Sequence, residues 1–238
     1  ADFASGIREL ASAGCTVIVD DVRYSSEPFY QDGPVANAID DVVTGDGAAY
    51  FSSAGNDGQN SYEAPFRDSG ESGVISASSV RHDFDSGTET DTRQKITIRS
   101  GGTFQVFSFQ WTDPSRVQSS NGPDTDLDIA LVDEAGTVVA QSASDNISTG
   151  VPAETMEYTN SGSTAETLYL VIEKAGGPDP DEIKYVYSGS GPFTDSDVTI
   201  EEYDTLGPTV YGHPMAEGAM AVAAAPFQAN SVETTPDV

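Results

Sequence analysis

The chain has 238 residues, with 39 Asp and Glu against 10 Lys and Arg, a formal net charge of −29, two His, one Cys and 37% hydrophobic residues. At about 100–200 residues per domain, this length fits one large or two small domains, with enough apolar residues for packed cores. The lone Cys15 excludes an internal disulfide framework and two His exclude a Cys/His zinc cage, while no run approaches the roughly 20 apolar residues of a membrane-spanning helix.

Such acidity repels phosphate backbones and anionic lipid, so neither nucleic acid nor membrane insertion is expected. Two origins fit it: a salt-adapted protein whose self-repulsion is screened by salt, or an ordinary acidic secreted protein.

In chain order, Phe3, Ile7, Leu10 and Ala11 fall at helical spacing and Gly14 stops the helix. Residues 16–20 are β-branched and read as a buried strand. Pro34 then opens a second helix through Val35, Ala38, Ile39, Val42 and Val43, and residues 48–53 form the next strand. Helix, strand, helix and strand with short links predict an α/β parallel sheet.

From about residue 84 to 191 the pattern changes to short alternating runs: 94–99, 103–111, 127–133, 137–142, 155–159, 167–173 and 182–187. Such spacing predicts an antiparallel β-sandwich, with a hairpin turn at Asp133-Glu-Ala-Gly136. Residues 218–225 are apolar at every position, as in a strand buried on both faces. The expected organisation is therefore an α/β part (1–81), an inserted β-sandwich (82–192) and a return to the α/β part (193–238).

The strongest local signal is Phe51-Ser-Ser-Ala-Gly-Asn-Asp-Gly58, a strand running into small residues and an Asn. At the carboxyl edge of a parallel sheet, small residues open space for a ligand and an Asn amide can aim a donor into it. These residue types also favour plain turns, and on their own they read as one.

With Val17-Ile-Val-Asp-Asp-Val-Arg23 before it and the 34–43 helix between, Ser53-Ala-Gly-Asn56 resembles the oxyanion-hole strand of subtilisin-like serine peptidases. The segment beginning Arg81-His-Asp-Phe84, with Gln110-Trp-Thr-Asp-Pro114 and Asp124-Thr-Asp-Leu-Asp-Ile129, is similar to pre-peptidase C-terminal domains. The resemblance implies Asn56 as oxyanion donor and Ser53, Ala54 and Gly55 as the pocket wall. It also places Asp21, Val22 and Arg23 on a strand that pairs with an extended peptide; most family members have Ser-Leu-Gly there.

The family's Gly-Thr-Ser-Met-Ala nucleophile turn has no counterpart, since Gly212-His-Pro-Met-Ala216 carries Pro214 where the Ser would stand. The resemblance thus implies an internal piece of a secreted peptidase, extracellular or at the cell surface, acting on polypeptide together with the remainder of its chain. Lacking the Ser-His-Asp set, the piece itself hydrolyses nothing. The alternative from another class is a non-catalytic acidic surface protein whose β-sandwich binds protein or carbohydrate.

His213, beside Pro214 with no partner at recognisable spacing, reads as a structural or exposed His, and His82 as an anchor for the first sandwich strand. Trp111 reads as core. Asp124, Asp126 and Asp128 alternate along an incipient strand and are candidate Ca²⁺ ligands; the simpler alternative is that Asp126 and Asp128 cap neighbouring turns with no ion. No other cofactor is expected. Asn146-Ile-Ser148 matches the N-glycosylation pattern.

Overall fold

The computed structural model describes residues 2–189 and 197–224. Its elements are α1 (Asp2–Ser12), β1 (Val17–Asp20), α2 (Pro34–Gly45), β2 (Ala49–Ser53), β3 (Ser61–Ala64), β4 (Asp68–Ser72), β5 (Val80–His82), β6 (Gln94–Ile98) and β7 (Thr103–Trp111). There follow β8 (Asp126–Val132), β9 (Val138–Ser142), α3 (Asn146–Thr149), β10 (Ala153–Thr159), β11 (Glu166–Gly176), β12 (Ile183–Gly189), β13 (Val198–Ile200), a 3₁₀ turn (His213–Met215) and β14 (Ala219–Val222). None of the described helices is long and apolar enough to cross a membrane. The chain forms two compact units: Ala1–Gln59 with Pro208–Val238, and Asn60–Gly207.

In the first unit, β1, β2 and β14 form a parallel sheet in the order β1-β2-β14. The apolar stripes of the two helices bury Ala4, Ile7 and Ala11 from α1 and Val35, Ala38, Ile39 and Val42 from α2, in one cluster with Ile18 and Tyr50. Residues in register share a face, so Ile18 and Tyr50 point to the helices and Val19, Phe51 and Met220 point away. That second face is open: Val17, Val19, Met220 and Val222 are 57%, 69%, 45% and 53% exposed.

This corrects two expectations. Residues 16–20 and the apolar run beginning at Gly218 are not buried strands, because among the described residues a single helical layer covers their sheet; Ala225 lies outside the described residues. Nor is there a clear subtilisin-like α/β core. The protein is mostly β, with one parallel and two antiparallel sheets, and the parallel sheet holds only three strands among the described residues. Strand–helix–strand alternation stops after β2, where the chain turns to antiparallel pairing.

The second unit holds the two antiparallel sheets. One runs β10-β7-β12-β3; in the other, β11 pairs with β8 along one edge and with β6 and β5 along the opposite edge, while β13, β4 and β9 extend it. Side chains from both sheets meet in one core, including Phe104, Phe109, Trp111, Ile129, Leu131, Leu170, Ile172, Ile183 and Tyr185.

Strand β7 shows how the sequence sets its register. Its inward residues change parity, from Phe104 and Val106 to Phe109 and Trp111, which a regular pleat cannot accommodate. An extra residue is inserted there, and both neighbours register it: Val106 pairs with Met156 and Tyr187, while the next partners are Phe109 with Glu154 and Ser108 with Val186. The turn between β8 and β9 forms where the sequence places it: Gly136 lies at φ 83°, Gly136 N donates to Asp133 O at 2.9 Å, and Thr137 N donates to Asp133 Oδ1 at 2.7 Å.

The sequence division at 81/82 and 192/193 differs from the observed boundaries at Asn60 and Gly207. Tyr62 and Phe66 belong to the second unit's core, and β3 pairs with β12 through Ser61↔Val186 to Ala64↔Ile183. His82 is fully buried: Arg67 N donates to its Nδ1 at 3.1 Å, which places the ring proton on Nε2, 2.9 Å from the Tyr62 hydroxyl. Burial, and then the charge of Arg67, push its pKa down to about 3, so the ring is neutral.

Candidate functional site

Because β1 and β2 run parallel with Asp20 beside Ser52, both strands release their chains at the same carboxyl edge. There Val22 and Arg23, Ser53, Ala54 and Gly55, and the returning Thr209–Tyr211 segment line a small, partly open cleft, with Glu27, Asp57 and Pro214 also in its wall. The edge of a parallel sheet is where open α/β layers place ligands.

Two main-chain features shape the mouth. Gly55 adopts φ 83°, a left-handed turn that only a residue without Cβ takes freely, and Ala54 N donates to Val222 O at 3.0 Å. Arg23 forms an ion pair with the buried Asp57, so the one cation of the wall is matched by a carboxylate beside it.

The structure therefore brings five of the residues singled out in the sequence, Val22, Arg23, Ser53, Ala54 and Gly55, onto one cleft. Asp21 and Asn56 are both exposed and do not line it. Asn56 sits between Gly55 and Asp57, which do, and its side chain makes no hydrogen bond among the described residues.

Behind the cleft lies a group that spacing does not reveal. His213 is 1% exposed and held between two carboxylates: its Nδ1 is 2.7 Å from Glu27 Oε2 and its Nε2 is 3.2 Å from Asp20 Oδ1. Asp20 also accepts from Ser52 Oγ at 2.8 Å and from the Tyr50 hydroxyl. Burial alone would lower the imidazole pKa, but the hydrogen bonds the ring donates to Asp20 and Glu27 and their charges outweigh it and raise the value to about 9. Asp20 is itself held below the usual carboxylate range, because bonds from His213, Tyr50 and Ser52 overcome its desolvation. Both ring nitrogens thus carry protons, and His213 is an imidazolium at neutral pH.

Gly212 makes the arrangement sterically possible. It lies at φ 71°, and a Cβ there would stand 2.4 Å from Glu27 Oε2.

Ser, His and Asp meet here, but not in the arrangement of a nucleophile and its base. Ser52 is 1% exposed, its hydroxyl donates to Asp20, and its 3.3 Å approach to His213 Nε2 reaches a ring that has no lone pair to accept a proton. What the network does is mechanical: it ties the end of β1, the loop bearing Glu27 and the turn at His213 into one wall.

Sequence reasoning missed Glu27, Asp57 and His213 as partners. Glu27 and His213 are 186 positions apart, and the only hint was a Gly before a His in a turn.

In the second unit, Asp124 is exposed, Asp126 is half-buried and accepts from Asn146 N at 3.0 Å, and Asp128 is 5% exposed. No three His, Cys, Asp or Glu among the described residues form a group that could hold a metal ion. The glycosylation pattern falls on a closed site: Asn146 is 1% exposed, and its Nδ2 donates to Val151 O, Ala153 O and Glu154 Oε1.

No protein-family model and no curated protein matches the chain. A solved structure with a distant likeness is that of the Clostridium perfringens CspB protease, at a TM-score of 0.38 and 9% sequence identity, covering 76% of this chain and 36% of that one. The chain thus spans little more than a third of that protease's length.

Proposed function

We propose that the first unit supplies a polypeptide-binding cleft to a secreted, peptidase-type protein and does not itself cleave. An extended segment of substrate lies along Asp21–Arg23, and one of its side chains enters between Val22 and Ala54. Asn56, beside the mouth with a free amide, is the donor for a developing oxyanion when a nucleophile is provided from elsewhere; a donor in that role is worth about 3–4 kcal/mol. The observation that carries this reading is the convergence of Val22, Arg23, Ser53, Ala54 and Gly55 on one cleft at the carboxyl edge of parallel strands.

Binding of fluorescein-labelled, reduced and alkylated casein tests it. Ala54→Trp fills the cleft and is expected to weaken binding at least about tenfold, whereas Val139→Ala, on an exposed strand of the other unit, leaves it unchanged. Equal binding by all three proteins refutes the cleft as the site. Fluorophosphonate is expected to leave the chain unlabelled, because Ser52 is buried and His213 is a cation. The burial of Ser52 and His213 favours, as the second reading, a protein that binds polypeptide without ever cleaving it.

A further inference from the structure

On the outer face of β8 and β11, carboxylates gather around Asp128, while the nearest register cation, Arg81 opposite Glu173 on β5, is engaged by Ser72 O, Thr92 and Glu71. Asp128 stands directly opposite Glu173 in the antiparallel register, and Asp126 lies two residues along β8 on the same face. Glu173 is fully buried and capped by backbone, accepting from the N–H groups of Val74, Ile75 and Ser76 at 2.7, 3.2 and 3.1 Å. Glu154 is likewise satisfied, by Ser142 Oγ, Ser144 N and Asn146 Nδ2.

Asp128 is different: it is 5% exposed and makes no hydrogen bond among the described residues. The charges acting on it are all negative, from Asp126, Glu154 and Glu173. Beside the cluster, Asn146 Oδ1 is buried without a donor, although its own amide Nδ2 is fully used and its N–H bonds Asp126. A buried acceptor without a donor is costly, and an unpartnered carboxylate more so. A set made only of acceptor oxygens is what a hard cation requires.

We propose that this cluster binds one Ca²⁺, with the carboxylates of Asp126 and Asp128 and the amide oxygen of Asn146 as protein ligands and solvent completing the shell. Asp124, exposed and ahead of the strand, takes no part. Two carboxylates and an amide oxygen do not make a cage of three acidic groups, and Ca²⁺, which takes six to eight oxygens in flexible geometry, suits such a site better than Mg²⁺.

The test is thermal unfolding of the whole chain, stripped with chelator, at fixed 1 M NaCl, followed through Trp111 in the second unit, with CaCl₂ or MgCl₂ added to about 5 mM. We expect Ca²⁺ to raise the transition by about 5 °C, Mg²⁺ to raise it far less, and calorimetric titration to give one site. Asp128→Asn and Asp126→Asn each abolish the Ca²⁺ response. Both keep an acceptor oxygen and relieve like-charge repulsion, so both fold. Asp124→Asn keeps the full response. Equal shifts with either metal that survive Asp128→Asn overturn the proposal, since they report only screening of the net charge. So does a wild-type protein indifferent to Ca²⁺ but stabilised by Asp128→Asn, which shows a carboxyl neutralised by a proton alone.

Discussion

Replacing His213 by leucine removes the cation from between Asp20 and Glu27. The gap between the folded value of about 9 and the ordinary 6.5, at 1.36 kcal/mol per pH unit, sets a ceiling of about 3 kcal/mol on the ring's contribution, and local relaxation brings the expected loss to about 2 kcal/mol. The sign follows from the direction of each shift. A raised imidazole pKa stabilises fully below about 6.5 and fades as pH rises through about 9, while the lowered Asp20 stabilises above about 3.8 and is lost as pH falls below it. The first unit is therefore most stable between about pH 4 and 6.5. Urea unfolding followed by circular dichroism should show the deficit of His213→Leu at pH 6 shrinking by about 2 kcal/mol by pH 9.5. Trp111 fluorescence follows the other unit as an internal control. Because the chain has only two His, imidazole NMR gives a direct readout: one ring should titrate near 9 and the other, His82, near 3. A ring titrating between 6 and 7 in the folded protein, or a deficit independent of pH, refutes the reasoning.

Gly212→Ala drives a Cβ into Glu27 and forces a side chain into left-handed backbone; a loss of roughly 2 kcal/mol from the first unit is expected in the same urea titration. Deleting Phe107 removes the extra residue of β7, turning Phe109 and Trp111 outward or Phe104 and Val106 out of the core. Loss of cooperative unfolding by Trp fluorescence is expected. In the second unit, burial followed by repulsion from Asp126, Glu154 and Glu173 raises Asp128 to about 7, so Asp128→Asn should stabilise chelator-treated protein at pH 8 by about 2 kcal/mol. That same variant should make the unit more acid-sensitive. The neutral His82 costs stability as pH falls from 6.5 toward 3, and protonation of Asp128, which offsets this in the wild type, is then gone. A chevron or urea midpoint that stays flat with pH in Asp128→Asn would contradict this.

The positions of several strands were legible in the sequence: β7 and the β8–β9 hairpin fall on the runs 103–111, 127–133 and 137–142, and β1 and β2 lie within 16–20 and 48–53. What alternation could not reveal was β3, β4 and β5, which are three to five residues long and rich in Ser, Gly and charge, so their pairing comes from partners more than 100 positions away in the case of β3. The apolar run through Met220 and Val222 misled for a related reason: hydrophobicity at every position states what a strand can bury, and the number of covering layers decides what it does bury. Of the cleft, Val22, Arg23 and Ser53–Gly55 were singled out only through the family resemblance, since the residue types of 53–58 by themselves read as a turn. Glu27 and His213 were not legible as partners, because their pairing depends on a Gly that lets two distant loops approach.

The chain crosses from one unit to the other at two points, and each unit closes on itself there. Thr209 Oγ1 donates to Gly58 O at 2.7 Å on one side; Gly207 N donates to Ser61 O at 3.0 Å, and Glu63 N to Thr205 Oγ1 at 2.9 Å, on the other. Termini that already touch carry almost no loop-closure cost, which grows only slowly with the length of chain between them. To the first unit, the second is thus a cassette of nearly arbitrary size: joining Gln59 to Pro208 by a short Gly-Ser bridge, or exchanging the β unit for another whose ends meet, leaves the cleft's own hydrogen bonds in place.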